Sequence, residues 1–244
     1  MKKFFTSALV LLLFASCNSS EIEKLQEGNG KIITAKIENA SEFSNIAGVK
    51  LVVGDVPAGR YVVLARGEWK DGGFTIELPK TVAPNQLLPF VNNNSFWPAT
   101  TSFDMTTVTV SNENVKIVDV RFVGVDKDDN AVTIFVFWKI DEVDPMNIDR
   151  AILTYADSDV TISGYTMIEG PANPRPGYGN HNWFAQTLTY SIEWEKGWNI
   201  WYSSRHRSMI GSTYTMTMQR SSTPVSGLKW YAALINWPIL HPVN

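Results

Sequence analysis

The chain has 244 residues, 44% of them hydrophobic, with 21 basic and 24 acidic side chains and a formal net charge of −3. That balance excludes a nucleic-acid binder, which needs a basic surface to neutralise phosphates. A single cysteine excludes a disulfide framework, and the length suits one large or two small domains.

The N-terminus reads as an export signal. Lys2 and Lys3 precede an apolar run, Phe4 to Ala15, which ends in the small residues Ala15 and Ser16 before Cys17. The run is too short for a spanning helix, which needs roughly 20 apolar residues. This segment resembles the signal of bacterial lipoproteins, in which the cysteine after the small residues becomes residue one and is acylated. The resemblance implies lipidation at Cys17 and anchoring by acyl chains without a transmembrane helix. Residues 18–30 are polar, end in Glu27-Gly28-Asn29-Gly30, and read as a tether.

From Lys31 onward the pattern is that of strands. Residues 33–38 alternate apolar and polar, residues 49–53 and 60–65 are β-rich, and Phe74 to Leu78 alternates between the Asp71-Gly72-Gly73 turn and Pro79. This spacing predicts a small antiparallel sandwich over residues 31–110. The piece from Asp71 to Pro79 resembles the turn and strand of transthyretin-like and carboxypeptidase-regulatory-like modules, which implies a structural or binding unit. Residues 81–107, with Pro84, Pro89, Pro98 and Asn92-Asn93-Asn94, read as a long connection.

A second, larger sandwich is expected over residues 111–244. It opens on a hairpin, with arms 115–125 and 131–140 around Asp126-Lys127-Asp128-Asp129-Asn130. In the second arm Val132, Ile134, Val136, Trp138 and Ile140 share one face, and Thr133, Phe135, Phe137 and Lys139 the other. Both faces are largely apolar, so the strand is predicted to be central and covered on both sides. Further strands follow at 151–155, 160–162, 188–194, 198–203, 214–218 and 228–235, with an irregular, Pro- and Gly-rich loop at 169–182. The fold class is therefore all-β, an antiparallel β-sandwich, with two sandwiches in tandem. The stretches Tyr155 to Gly164, Gly197-Trp198-Asn199 and Gly227 to Tyr231 resemble uncharacterised exported β-sandwich lipoproteins of Bacteroides-type bacteria. That resemblance implies an outer-membrane lipoprotein of the cell envelope and carries no chemistry to transfer.

Candidate site residues are few. Nine tryptophans are present, six of them between Trp183 and Trp237. Aromatic faces bind ligands with large area and little entropy loss, so Trp194 and Trp198 across the Lys196-Gly197 turn, with Tyr178 and Trp183, form the candidate ligand platform. The alternative is that these rings fill a core. Asp126, Asp128 and Asn130 have the one-three-five spacing of Ca²⁺ ligands but lack the glycine and glutamate of an EF-hand, so they read first as a solvated turn; Asp157 and Asp159 read the same way. Glu193 and Glu195 have a spacing comparable to that of a glycosidase carboxylate pair but also suit an ordinary polar strand face. His181, His206 and His241 form no zinc motif, and Ser203-Ser204-Arg205-His206 lacks a nucleophile elbow. Arg205 and Arg207 make a basic spot suited to an anionic glycan or to solvent.

These readings predict a lipid-anchored, exported, non-catalytic binding or structural protein, with no cofactor and no metal. Its partners are the membrane, through the N-terminal lipid, and a polysaccharide or another envelope protein. The alternatives are a glycan-binding accessory protein, an assembly subunit and, last, a hydrolase.

Overall fold

Alternating apolar and polar residues become strands along most of the described residues from Ile32. The computed structural model describes residues 31–90, 107–145, 147–171, 183–211 and 213–235. Its strands are β1 (Ile32–Lys36), β2 (Gly48–Asp55), β3 (Arg60–Lys70), β4 (Gly73–Glu77), β5 (Leu88–Pro89), β6 (Thr109–Val110), β7 (Lys116–Asp119), β8 (Arg121–Val125), β9 (Ala131–Ile140), β10 (Ile148–Ala156), β11 (Val160–Pro171), β12 (Trp183–Trp194), β13 (Gly197–Ile210), β14 (Thr213–Ser221) and β15 (Lys229–Ala233). The fold is all-β, and its ladders are antiparallel except β12 with β14 and the single bridge between Ile37 and Trp230.

The central strand is β9. Its first half pairs along one edge with β8, its second half along the same edge with β10, and its other edge with β15. The run predicted as one strand at 115–125 breaks at Val120, so that β7 pairs with β10 while β8 pairs with β9 and β2. Val120 keeps its amide bonded to the Leu153 carbonyl at 3.1 Å, so the break leaves no buried donor unpaired. At this junction the sheet divides into two curved parts.

The N-terminal part runs β1-β4-β3-β2-β8-β9-β15 and closes on itself. The Glu38 amide donates to the Trp230 carbonyl at 2.9 Å. Asn39 then stands in for a strand: its side-chain nitrogen donates to the Ala232 carbonyl, and its side-chain oxygen accepts from the Ala232 amide. A ring of antiparallel neighbours with an odd number of strands must contain one parallel contact, and the bridge between Ile37 and Trp230 supplies it. Closure removes edges that would otherwise invite aggregation.

Alternation sorts side chains to two faces. One face of β9, β10 and β13 points into the ring and builds the first core, which joins Ile33, Leu51, Phe74 and Ile76 to Phe122, Phe135, Phe137, Leu153, Tyr155, Trp198 and Trp230. Trp230 lies at its centre, with Phe74, Phe122 and Phe137 centroids at 5.4, 5.3 and 5.0 Å. The other face of β7, β10 and β13 joins β11 and β12 around a second core of Phe90, Ile117, Ala156, Ile162, Leu188, Tyr190, Ile192, Trp194 and Trp201. A smaller third cluster, Val52, Val56, Val123, Val125 and Ile134, lies on that same face beside the ring. Strand pairing and the first core both cross the boundary expected near residue 110, because β2 pairs with β8 and residues of both segments fill one core.

Trp230 is 4% exposed, and its ring nitrogen has no hydrogen-bond partner. Packing alone therefore holds it. Trp230→Ala is expected to cost about 3–5 kcal/mol of stability, and Trp230→Phe distinctly less, because it removes a buried unpaired donor while keeping an aromatic ring. Urea unfolding of the two variants measures the difference; equal losses would contradict it.

Candidate functional site

The face of β10 and β13 that builds the second core does not stay apolar along its length. On β10 the side chains run Ala156, Thr154, Ile152, Arg150; on β13 they run Trp201, Ser203, Arg205, Arg207. Register sets Arg150 beside Ser203, Ser203 beside Arg220 on β14, and Arg220 beside Tyr190 on β12. One row thus carries Arg150, Ser203, Arg220 and Tyr190 across four neighbouring strands. At about 4.8 Å between strands, the Arg150 and Arg220 backbones lie about 10 Å apart, and Arg205 stands about 7 Å along β13 from Ser203. Arg121, at the start of β8, follows Asp119 on the same face past the Val120 break.

Arg220 is 7% exposed. Its guanidinium lies over the Tyr190 ring at 5.8 Å and the Trp201 ring at 5.7 Å, so π faces on two sides offset part of the cost of burying the charge. Trp201 is fixed in turn: its Nε1 donates to Thr154 Oγ1 at 2.9 Å, and the Thr154 hydroxyl donates to Asp119 Oδ1. Burial lowers the Arg220 pKa, against the pull of Tyr190 and Asp119. Burial also pushes the Tyr190 phenol up to about 12, so it stays neutral at physiological pH.

Arg150 is solvent-accessible, yet desolvation by the surrounding protein is the largest influence on it. Desolvation, with Arg220 and Arg205 next, brings its pKa down to about 10, still far above physiological pH. Of the charged groups acting on it, Arg220, Arg205 and Arg121 are positive and Asp119 is negative. The side chains of Arg150 and Arg121 form no hydrogen bond or ion pair among the described residues. Gly164 lies beside Tyr190 on β11 with φ of +122°, and a Cβ there would meet the Thr107 carbonyl oxygen at 2.1 Å, so only glycine lets the 107–110 segment close that side of the sheet.

The residues singled out from sequence are placed differently. Trp194 and Trp198 do not form a platform. Trp194 is 3% exposed in the second core, with Phe90 and Trp201 at 6.1 and 6.5 Å. Trp198 is 6% exposed in the first core, against Tyr155, and donates to the Pro79 carbonyl at 2.7 Å. The turn between them passes the chain from one face of the sheet to the other. Trp183 begins β12, and Tyr178, His181, His241 and Cys17 lie outside the described residues. Every tryptophan with a described side chain is buried or half-buried.

The polar candidates are also dispersed. Glu193 and Glu195 are exposed, and Glu195 falls beyond the end of β12. Ser203 lies on the arginine face, whereas Ser204 and His206 lie on the opposite one, where His206 meets Asp149 at 3.3 Å. The basic spot at Arg205 and Arg207 separates: Arg207 forms a bidentate pair with Asp144 at 2.7 and 2.8 Å, while Arg205 joins the arginine group. Asp126 accepts the amides of Asp128 and Asn130, both at 2.9 Å, and so caps its own turn. Asp157 and Asp159 accept the amides of Lys116 and Lys196. Among the described residues no three His, Cys, Asp or Glu side chains are grouped to hold a metal.

Comparison with family models, with curated proteins and with solved structures finds no match to this chain.

The acid-rich turn has a structural use that its spacing did not suggest. Asp129, at φ of 68°, receives Arg66 at 2.7 and 3.0 Å and the buried Lys50 at 2.8 Å. Hydrogen bonds from Arg66 and then Lys50 hold its carboxyl well below the ordinary 3.8. A depressed folded pKa contributes stability that is present above the ordinary carboxylate range and lost as pH falls below it. Asp129→Asn is therefore expected to lower the melting temperature at pH 7, with a gap to wild type that narrows steadily below about pH 4. Melting curves across pH 2–7 check this; a gap that does not change with pH would refute it.

Proposed function

We propose that this chain is a lipid-anchored, exported protein that binds a ligand without transforming it, and that the arginine-bearing face of the C-terminal sheet is where it binds. The observation that carries the reading is the polar belt on that face. Arg150, Arg205 and Arg121 interrupt what would otherwise be one apolar surface joining the second core to the third cluster. A sheet face built only for stability would continue Val, Ile and Leu through this stretch, since clustered guanidiniums repel one another and lose hydration.

Export and anchoring rest on the N-terminal signal pattern and Cys17. Consistently, no described helix is long and apolar enough to cross a membrane. A non-catalytic role is supported by the dispersal of Glu193, Glu195, Ser203 and His206 over different strands and faces. A glycan ligand is compatible with this face, but its recognition would fall to the accessible arginines rather than to a tryptophan platform, since Tyr190 and Trp201 are buried.

Cys17→Ala is expected to move the protein from the membrane fraction to the soluble fraction without changing its melting temperature, and the wild-type N-terminus should carry acyl mass. Membrane retention of the variant would refute the anchor. For binding, the chain from residue 18 is screened against neutral and acidic oligosaccharides by tryptophan fluorescence and thermal shift. A saturable response to at least one of them is expected; silence across both sets would end the binding reading.

A further inference from the structure

On the reading that this face binds a ligand at all, its arginines also specify part of that ligand's chemistry. We propose that Arg150, flanked by Arg121, Arg205 and Arg220, receives an oxyanion of the ligand: a carboxylate, phosphate or sulfate group.

Charge comes first. Arg121, Arg150, Arg205 and Arg220 come from four strands, β8, β10, β13 and β14, and register alone brings them to one face. Asp119 is the one negative group among the charges named above as acting on Arg150, and it already accepts the Thr154 hydroxyl. A guanidinium presents five N–H donors in a planar fork that matches two oxygens of an oxyanion. Arg150 offers that fork to solvent, with no side-chain hydrogen bond among the described residues. Desolvation by the neighbouring protein strengthens each charge that an incoming anion meets.

The flanking groups argue against a chance basic patch. Exposed surface arginines are usually mobile and paired loosely with nearby acids. Here Arg220 is buried and clamped over Tyr190 and Trp201, and Trp201 is locked by the chain through Thr154 to Asp119. Such a positive charge, immobile before any ligand arrives, costs no ordering when an anion binds. Arg150 beside it is the accessible member that can close on the anion. Charge-assisted bidentate hydrogen bonds are among the strongest polar contacts a protein makes.

The surface adjoining the arginines is of a different character. Met218 lies in the row next to Arg220, paired with Arg205 and Leu188, and Gln186 donates to its sulfur at 3.8 Å. Beyond the charge the face thus carries a thioether and an amide rather than further charge.

The test uses the chain from residue 18 and calorimetric titration at constant ionic strength with inorganic phosphate, sodium sulfate and trigalacturonate, against neutral trigalactose. Saturable binding of at least one anion is expected, with affinity reduced about tenfold or more in Arg150→Gln and unchanged in Arg207→Gln, whose native arginine is paired with Asp144. Which anion binds separates a tetrahedral phosphate or sulfate from a planar carboxylate. If Arg150→Gln does not fold, Arg150→Lys supplies the comparison, because it keeps the charge and loses the fork; a several-fold loss is then expected. Equal affinities in wild type and the Arg150 variant would overturn the proposal, as would absence of saturable binding by all three anions. Saturable binding of neutral trigalactose alone would overturn the oxyanion site while leaving the broader binding reading intact.

Discussion

Hydrogen bonding along β9 is the constraint on which the rest depends. Three strands share its two edges: β8 and β10 divide one edge between them, and β15 takes the other. A strand ten residues long cannot serve two partners on one edge unless they diverge. The break at Val120 and the departure of β10 toward β7 meet that requirement, and they send the two parts of the sheet into separate curves. Closure of the N-terminal ring by β15 and Asn39, and the separate arginine-bearing face of the C-terminal part, both follow from that divergence.

Because the sheet curves in two senses, each of its faces becomes an interior somewhere. The face carrying Phe135, Phe137, Tyr155 and Trp198 is interior to the ring. The face carrying Trp201, Thr154 and Ile152 is interior to the C-terminal sheet. This explains why β9 and β10 are apolar on both sides, a composition otherwise typical of strands covered by helices. It also explains the high tryptophan content. Two cores without helices must be filled from strands alone, and large flat rings span the distance between facing strands better than branched aliphatic side chains do.

The same geometry gives the arginines their setting. They stand where the apolar lining of the second core ends and that of the third cluster has not yet begun. At that place water reaches Arg150, while Arg220 is buried against the Tyr190 and Trp201 rings. The proposed binding site is placed on this belt for that reason.

Much of the fold was legible in the sequence. Period-two alternation is a local property, and it marked the strands, the hairpin at Asp126 to Asn130 and the two-sided burial of 131–140. The pattern read as an export signal is likewise local, in Lys2, Lys3, the apolar run and Cys17. That strand pairing and the first core would cross the boundary expected near residue 110, the role of Trp194 and Trp198, and the arginine group were not legible. Trp194 and Trp198 lie close together across a turn, and nothing local says that the turn carries them to opposite faces of the sheet. Arg121 lay in a predicted strand, Arg150 and Arg220 lay just outside predicted strands, and Arg205 read with Arg207 as a basic spot, so nothing local joined the four. Only the cross-strand register, set by backbone hydrogen bonds between segments far apart in the chain, aligns them on one face. Local alternation was enough to say which residues form strands and which side chains share a face. Long-range pairing chose which of those faces meets water, because burial depends on partners that the local pattern does not name.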